Sequence, residues 1–152
     1  MDKRSEFNIA LKESLKNKEP VAVSTIRLIL AALKDRDITA RGKGQADGVE
    51  ESEILAMLQT MVKQRQESSQ TYSDAGRDDL AEREEAEIEV IRRFMPRQLT
   101  EEEVGALVET LIGETGAAGI KDMGKVMGVL KERYAGQVDM GKAGAAVKAK
   151  LG

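Results

Sequence analysis

The side chains able to do chemistry here are carboxylates, lysines, arginines, hydroxyls and two tyrosines, because the 152 residues include no Cys, no His and no Trp. That excludes a thiol nucleophile, a Ser-His-Asp triad, an imidazole acid or base at neutral pH and a structural zinc site. Paired carboxylates could still exchange protons, but no acid stands in an apolar segment that would raise its pKa. Gly119-Ile120-Lys121-Asp122-Met123-Gly124-Lys125 fits the first part of a phosphate-binding loop. Val126 then replaces the Ser or Thr that would hold magnesium, and no buried strand precedes the loop, so the match is read as chance. Neither a metal nor a cofactor is expected.

Two other features suggest contact with a large ligand. Gly124 and Gly128 stand four apart in a helical pattern, where a glycine costs about 1 kcal/mol relative to alanine. They imply close approach on that side, and packing of the chain's own helices is the first explanation. The second feature is the basic set Lys121, Lys125, Lys131, Arg133, Lys142 and Lys148, with Lys150 beside it. These read as ordinary surface lysines, or as a face that follows phosphates; Tyr134 is the only aromatic side chain near them. Lys63 and Arg65 are expected to pair with the acids around them.

The elements that position these residues are helical. Apolar residues recur at three- and four-residue steps, and strand-like alternation is scarce. The spacing predicts a first helix over about 2–18 with Phe7, Leu11 and Leu15 inward, and a second opened by Pro20 with Val23, Ile26, Ile29, Leu30 and Leu33 inward. Thr39 to Gly48 reads as a loop. A third helix uses Ile54, Leu55, Leu58, Met61 and Val62 and closes at Gly76. A fourth, begun by Asp79 and Glu82, carries Leu80, Ile88, Ile91 and Met95 and ends at Pro96. Thr100 and Glu103 have capping-box spacing before a fifth helix with Val104, Leu107, Val108, Leu111 and Ile112. Asp122 and Asp139 stand where caps of a sixth and a seventh belong. The chain is therefore all-α, divided near Pro96 into an N-terminal helical portion, 1–96, and a small C-terminal helical domain, 97–152.

The net charge of -3 hides a division. Residues 77–103 carry ten acids and five bases, whereas residues 116–152 carry seven bases and three acids. No run of 18 apolar residues occurs, so no membrane contact is expected, and the acidic total argues against DNA. With no Cys and no leader-like start, the protein is expected in the cytoplasm.

Three blocks together resemble a known family. They are Thr25-Ile26-Arg27-Leu28 through Ala31-Ala32-Leu33-Lys34; Val62-Lys63-Gln64-Arg65 through Glu84, Glu87 and Met95-Pro96-Arg97-Gln98-Leu99-Thr100; and Lys121-Asp122-Met123-Gly124-Lys125-Val126-Met127-Gly128. The chain resembles the bacterial YqeY-like family, stand-alone relatives of the tail domain of the B subunit of the tRNA-dependent amidotransferase. The resemblance implies an all-α fold with a tail-like C-terminal domain, and a non-catalytic protein that binds tRNA or a tRNA-handling enzyme. It also brings a family label, carbon–nitrogen ligase with glutamine as amido-N-donor, that no residue here supports. On that reading Lys121, Lys125, Lys131, Arg133, Lys142 and Lys148 face tRNA. The sequence departs from the family at Gly136-Gln137-Val138-Asp139, where one positive charge is missing. The alternative is a protein–protein adaptor using the Gly124/Gly128 face or the acidic helix 78–93.

Overall fold

A computed structural model describes residues 1–152, the whole chain, and it contains helices and no strands. The helices are α1 (Lys3–Lys16), α2 (Pro20–Gly42), α3 (Glu51–Asp74), α4 (Asp78–Arg92), α5 (Glu101–Thr115), α6 (Met123–Arg133) and α7 (Met140–Leu151), with a single 3₁₀ turn, Ile120–Asp122, before α6. They form two compact units, Met1–Met95 and Pro96–Gly152.

In the first unit α1 starts where the Asp2 carboxylate accepts from the Ser5 amide at 2.8 Å. Its inward line is Phe7, Leu11 and Ser14; Leu15, expected inside, is half exposed, because the helix turns Ser14 to the core instead. Phe7 meets Phe94 edge to face, with ring centroids 5.0 Å apart, and so joins the first helix to the last residues of the unit. Ile26, Ile29 and Leu33 of α2, Ile54, Met57 and Leu58 of α3, and Ile88 and Ile91 of α4 complete this core.

Helix α2 runs four residues into the predicted loop: 39–42 are helical and only 43–50 are not. The reason is Asp37. Its buried carboxylate accepts from the Arg4 guanidinium at 2.6 Å and from the Val49 amide at 2.9 Å, while the same guanidinium donates to the Val49 carbonyl at 3.0 Å. One side chain thereby fastens α1, α2 and the entry to α3, and Ala40 is carried inward with it. Gly48, at φ +83°, makes room: a Cβ there would collide with the Asp37 carboxylate.

Helix α3 ends at Ala75 with Gly76 following at φ +74°, as its place in the sequence predicts. The expected Asp79/Glu82 box does not form. α4 begins at Asp78 with Arg77 in the cap place, two residues earlier than expected, and the Asp79 carboxylate turns back to Arg77, which holds it below the ordinary carboxylate range. In the second unit the Thr100/Glu103 box is complete, each side chain accepting from the other residue's amide at 3.1 Å. Arg97 grips Glu103 with two bonds of 2.8 Å and, with the Thr100 amide, holds its pKa down at about 2. Gly116 closes α5 in the left-handed conformation, and Asp139 caps α7 through the Gly141 and Lys142 amides. Asp122 stands in the cap position of α6, at the end of the 3₁₀ turn, but makes no side-chain cap bond: its carboxylate accepts from the Ala118 amide at 3.0 Å.

Asp37→Ala is expected to destabilise the first unit by about 2–3 kcal/mol in urea unfolding, because the buried Val49 amide loses its partner. Burial pushes the Asp37 carboxyl up, but the Val49 amide and Arg4 outweigh it and leave the pKa below 3.8. The carboxylate's contribution is therefore complete above that value and is lost as acid protonates the folded form, so wild type and Asp37→Asn should converge in stability as the pH falls below 3.8.

Candidate functional site

The C-terminal unit is built on a small aliphatic core. Val108 and Leu111 of α5, Val126 and Leu130 of α6, and Ala143 and Val147 of α7 are buried, with Val138 from the connecting turn. The turn at Gly136-Gln137 is a joint: its carbonyls accept from the Gln98 side chain and, at 2.9 Å, from the Leu99 amide. The corner where the family would place an additional basic residue is thus occupied by the segment that leads into α5.

Helix α6 turns Val126 and Leu130 inward, so Gly124, Gly128 and Lys131, spaced by four and three residues, share the outward side, while Lys121 lies exposed in the 3₁₀ turn that precedes the helix. A Cβ built on Gly124 or on Gly128 meets no atom of the chain within 4 Å. Packing within the chain therefore does not account for these glycines. Gly144 of α7 faces α6 instead, where a Cβ would lie in ordinary contact, 3.6 Å from Met123 Cε and 3.8 Å from Met127 Cε. At the start of the open side Ile120 is half exposed.

The six basic residues differ in their surroundings. Lys121 and Lys131 flank the glycines with no ion pair, and Lys125 lies 3.7 Å from Asp122 at the edge of the same helix. Arg133 pairs with Glu114 of α5 at 3.1 Å. Lys150 is similarly bound to Glu109, which lowers the Glu109 pKa. Lys142 and Lys148 lie six residues apart on α7, on opposite flanks of its exposed side. The +4 of this region is thus dispersed over two helices and partly neutralised.

In the first unit the expected internal pairing of Arg65 is present: it reaches Glu87 of α4 at 3.1 Å and the Met61 carbonyl at 3.1 Å. Glu84 lies beside this pair. Burial, and then the Glu87 charge, raise its pKa, while Arg65 and Arg83 act against them. Two surface features have no forerunner in the motifs. One is an open groove of about 430 Å³ along the end of α2, with Asp35, Arg36, Thr39 and Lys43 at its rim. The other, of about 400 Å³, follows α3 past Gln64, Glu67, Ser68, Thr71 and Tyr72. The signal for the second was Tyr72 itself, the one aromatic residue of the unit that falls off the apolar periodicity.

The family model described as Yqey-like protein matches residues 4–151. The chain belongs to the YqeY-like family. Among curated proteins it is similar to Altered inheritance of mitochondria protein 41, mitochondrial, from three yeasts. The match to the Lachancea thermotolerans protein is 29% identical over 116 residues, covering 75% of this chain and 60% of that protein. The match to the Clavispora lusitaniae protein is 35% identical over 91 residues, covering 60% and 50%, and that to the Candida glabrata protein is 34% identical over 85 residues, covering 56% and 45%. The chain spans about half the length of the curated relatives it matches.

These relatives bear on three expectations. The reading as a tRNA-binding or amidotransferase-related protein is overturned: the names carry mitochondrial inheritance, with neither tRNA nor amide transfer. The cytoplasmic expectation falls with it, since the relatives are mitochondrial by name, and a lack of Cys does not distinguish one compartment from another. The bacterial setting finds no support in these relatives, which are from yeasts.

Because nothing fills the space outside Gly128, Gly128→Ala is expected to stabilise the C-terminal unit by about 1 kcal/mol in urea unfolding. Gly48→Ala should have the opposite sign in the first unit, for the collision with Asp37.

Proposed function

We propose that this YqeY-like chain is a docking protein, and that its C-terminal unit receives another polypeptide across the Gly124/Gly128 side of α6. The observation that carries the proposal is the empty space over both glycines. Gly124 stands in the first turn of the helix, where the loss relative to alanine is smaller; Gly128 lies mid-helix and bears the full loss of about 1 kcal/mol. A side chain missing at a cost, with no atom of the chain in its place, is what a close-packed helix–helix contact with a partner requires. Lys121 and Lys131 frame the bare strip and favour a partner with carboxylates at its rim. Ile120 adds apolar surface at one end. The relatives' name describes a cellular outcome and no reaction, which is in keeping with a protein that acts by binding.

A photoreactive residue placed at Lys121 or at Lys131 is expected to cross-link a polypeptide in cells, giving a product resistant to nuclease. Gly128→Leu, which fills the strip, should abolish the product while the protein remains folded by its melting curve. The same residue at Lys148 should give no product. A product that nuclease removes, a product indifferent to Gly128→Leu, or none at all would sink the proposal.

A further inference from the structure

The α3–α4 hairpin is apolar at one end only. Ile54, Met57, Leu58, Met61 and Val62 of α3 meet Ile88, Val90 and Ile91 of α4, whereas between residues 63 and 87 the only buried side chains are Ser69 and Ala81. There the helices are joined by polar contacts: Arg65 to Glu87 at 3.1 Å, and the Ser69 hydroxyl to the Ala81 carbonyl at 3.5 Å. Twelve residues of α3, from Lys63 to Asp74, span about 18 Å with no hydrophobic seam. A helical pair of that kind contributes little to the stability of its own unit. Residues 66–86 carry seven carboxylates against two arginines. Asp78, Glu82, Glu85 and Glu89 follow one exposed line of α4, and none of the four has an ion pair. On the flank of this arm lies the groove of about 400 Å³ with Glu67, Ser68 and Tyr72 in its wall. Phe7 and Phe94 are in the core, so Tyr72 is the only ring of the first unit that meets solvent.

We propose that the distal α3–α4 arm is a second docking element, for a lysine- and arginine-rich segment of a partner polypeptide, with one cationic side chain seated in the groove against Tyr72 and Glu67. The ring face attracts a cation through its quadrupole, and the carboxylate beside it completes the site. The net negative charge of the arm as a whole repels nucleic acid and gathers basic chains, although the groove itself is lined by α3 residues with Glu67 as its one acid. A length of about 18 Å accommodates roughly five residues of extended polypeptide. The assignment stands independently of the α6 face.

The test is titration of a fluorescein-labelled nonapeptide of alternating lysine and alanine into the full chain at low salt, followed by anisotropy and amide NMR shifts. Shifts are expected at 64–72 and along α4, with none in the C-terminal unit. Tyr72→Ala should weaken binding about fivefold, the equivalent of roughly 1 kcal/mol for a cation–π contact. Tyr72→Phe should retain the affinity and Glu67→Gln should reduce it; both positions are off the core, so melting curves should be unchanged. Gly128→Leu should bind the peptide as wild type does, which separates this element from the α6 docking face. Spermine should compete only weakly. The proposal is overturned by absence of binding, by affinity insensitive to Tyr72→Ala, by shifts centred outside the arm, or by spermine binding as tightly as the peptide.

Discussion

A core of seven small aliphatic side chains is the constraint on which the C-terminal unit depends. A helical domain of under sixty residues buries only a modest share of its surface, and this one has no buried ring to add area. In such a unit every helix-interior glycine matters. Gly105, Gly113, Gly124 and Gly128 all lie in helices with no atom of the chain where a Cβ would be. The compensation is visible at the ends: the Thr100/Glu103 box reinforced by Arg97, the left-handed Gly116, the Asp139 cap, and the Gln98 and Leu99 bonds to the Gly136-Gln137 turn. The unit is pinned at its corners and left bare on one side of α6. Proteins commonly keep such unfavourable choices where contact with something else requires them.

Polar groups have two different duties in the first unit. Asp37 is buried with its partners in place, and it draws three elements together while its charge is preserved. The α3–α4 arm uses polar groups where an apolar seam would have been stronger, and Glu84 shows the consequence in a pKa raised by burial first and by the Glu87 charge second. The two duties separate along the same helices: packing toward Phe7 and Phe94, charge toward Gly76.

Local rules made most of the architecture legible. Period-3.6 patterning marks all seven helices, and Gly76, Gly116, Thr100 with Glu103, and Asp139 mark their ends because each acts on backbone within four residues of itself. What could not be read depends on distant partners. The loop predicted from Thr39 is helical to Gly42 because Asp37 reaches Arg4 and Val49. Asp122 has capping chemistry, but its carboxylate serves Ala118. The basic tail looked like one field in the sequence; Glu114 and Glu109, 19 and 41 residues from their partners, remove two of its charges. A pair of glycines is visible in any sequence, whereas the emptiness beside them exists only in three dimensions.

That emptiness also decides how charge should be weighed. A net charge of -3 would suit a protein indifferent to charged partners, yet the local distribution is far from uniform. Exposed like charges without partners repel one another and raise the energy of the isolated fold, as along Asp78, Glu82, Glu85 and Glu89. A basic partner on the arm relieves that repulsion, and a carboxylate-rimmed helix on α6 meets Lys121 and Lys131. Both contacts include charges near the surface, which salt screens over about 8–10 Å, but the packing over Gly128 is short-range and largely insensitive to salt. Salt dependence therefore distinguishes the two proposed elements: binding to the arm would be governed by charge, and docking on α6 by the fit of one helix against bare backbone.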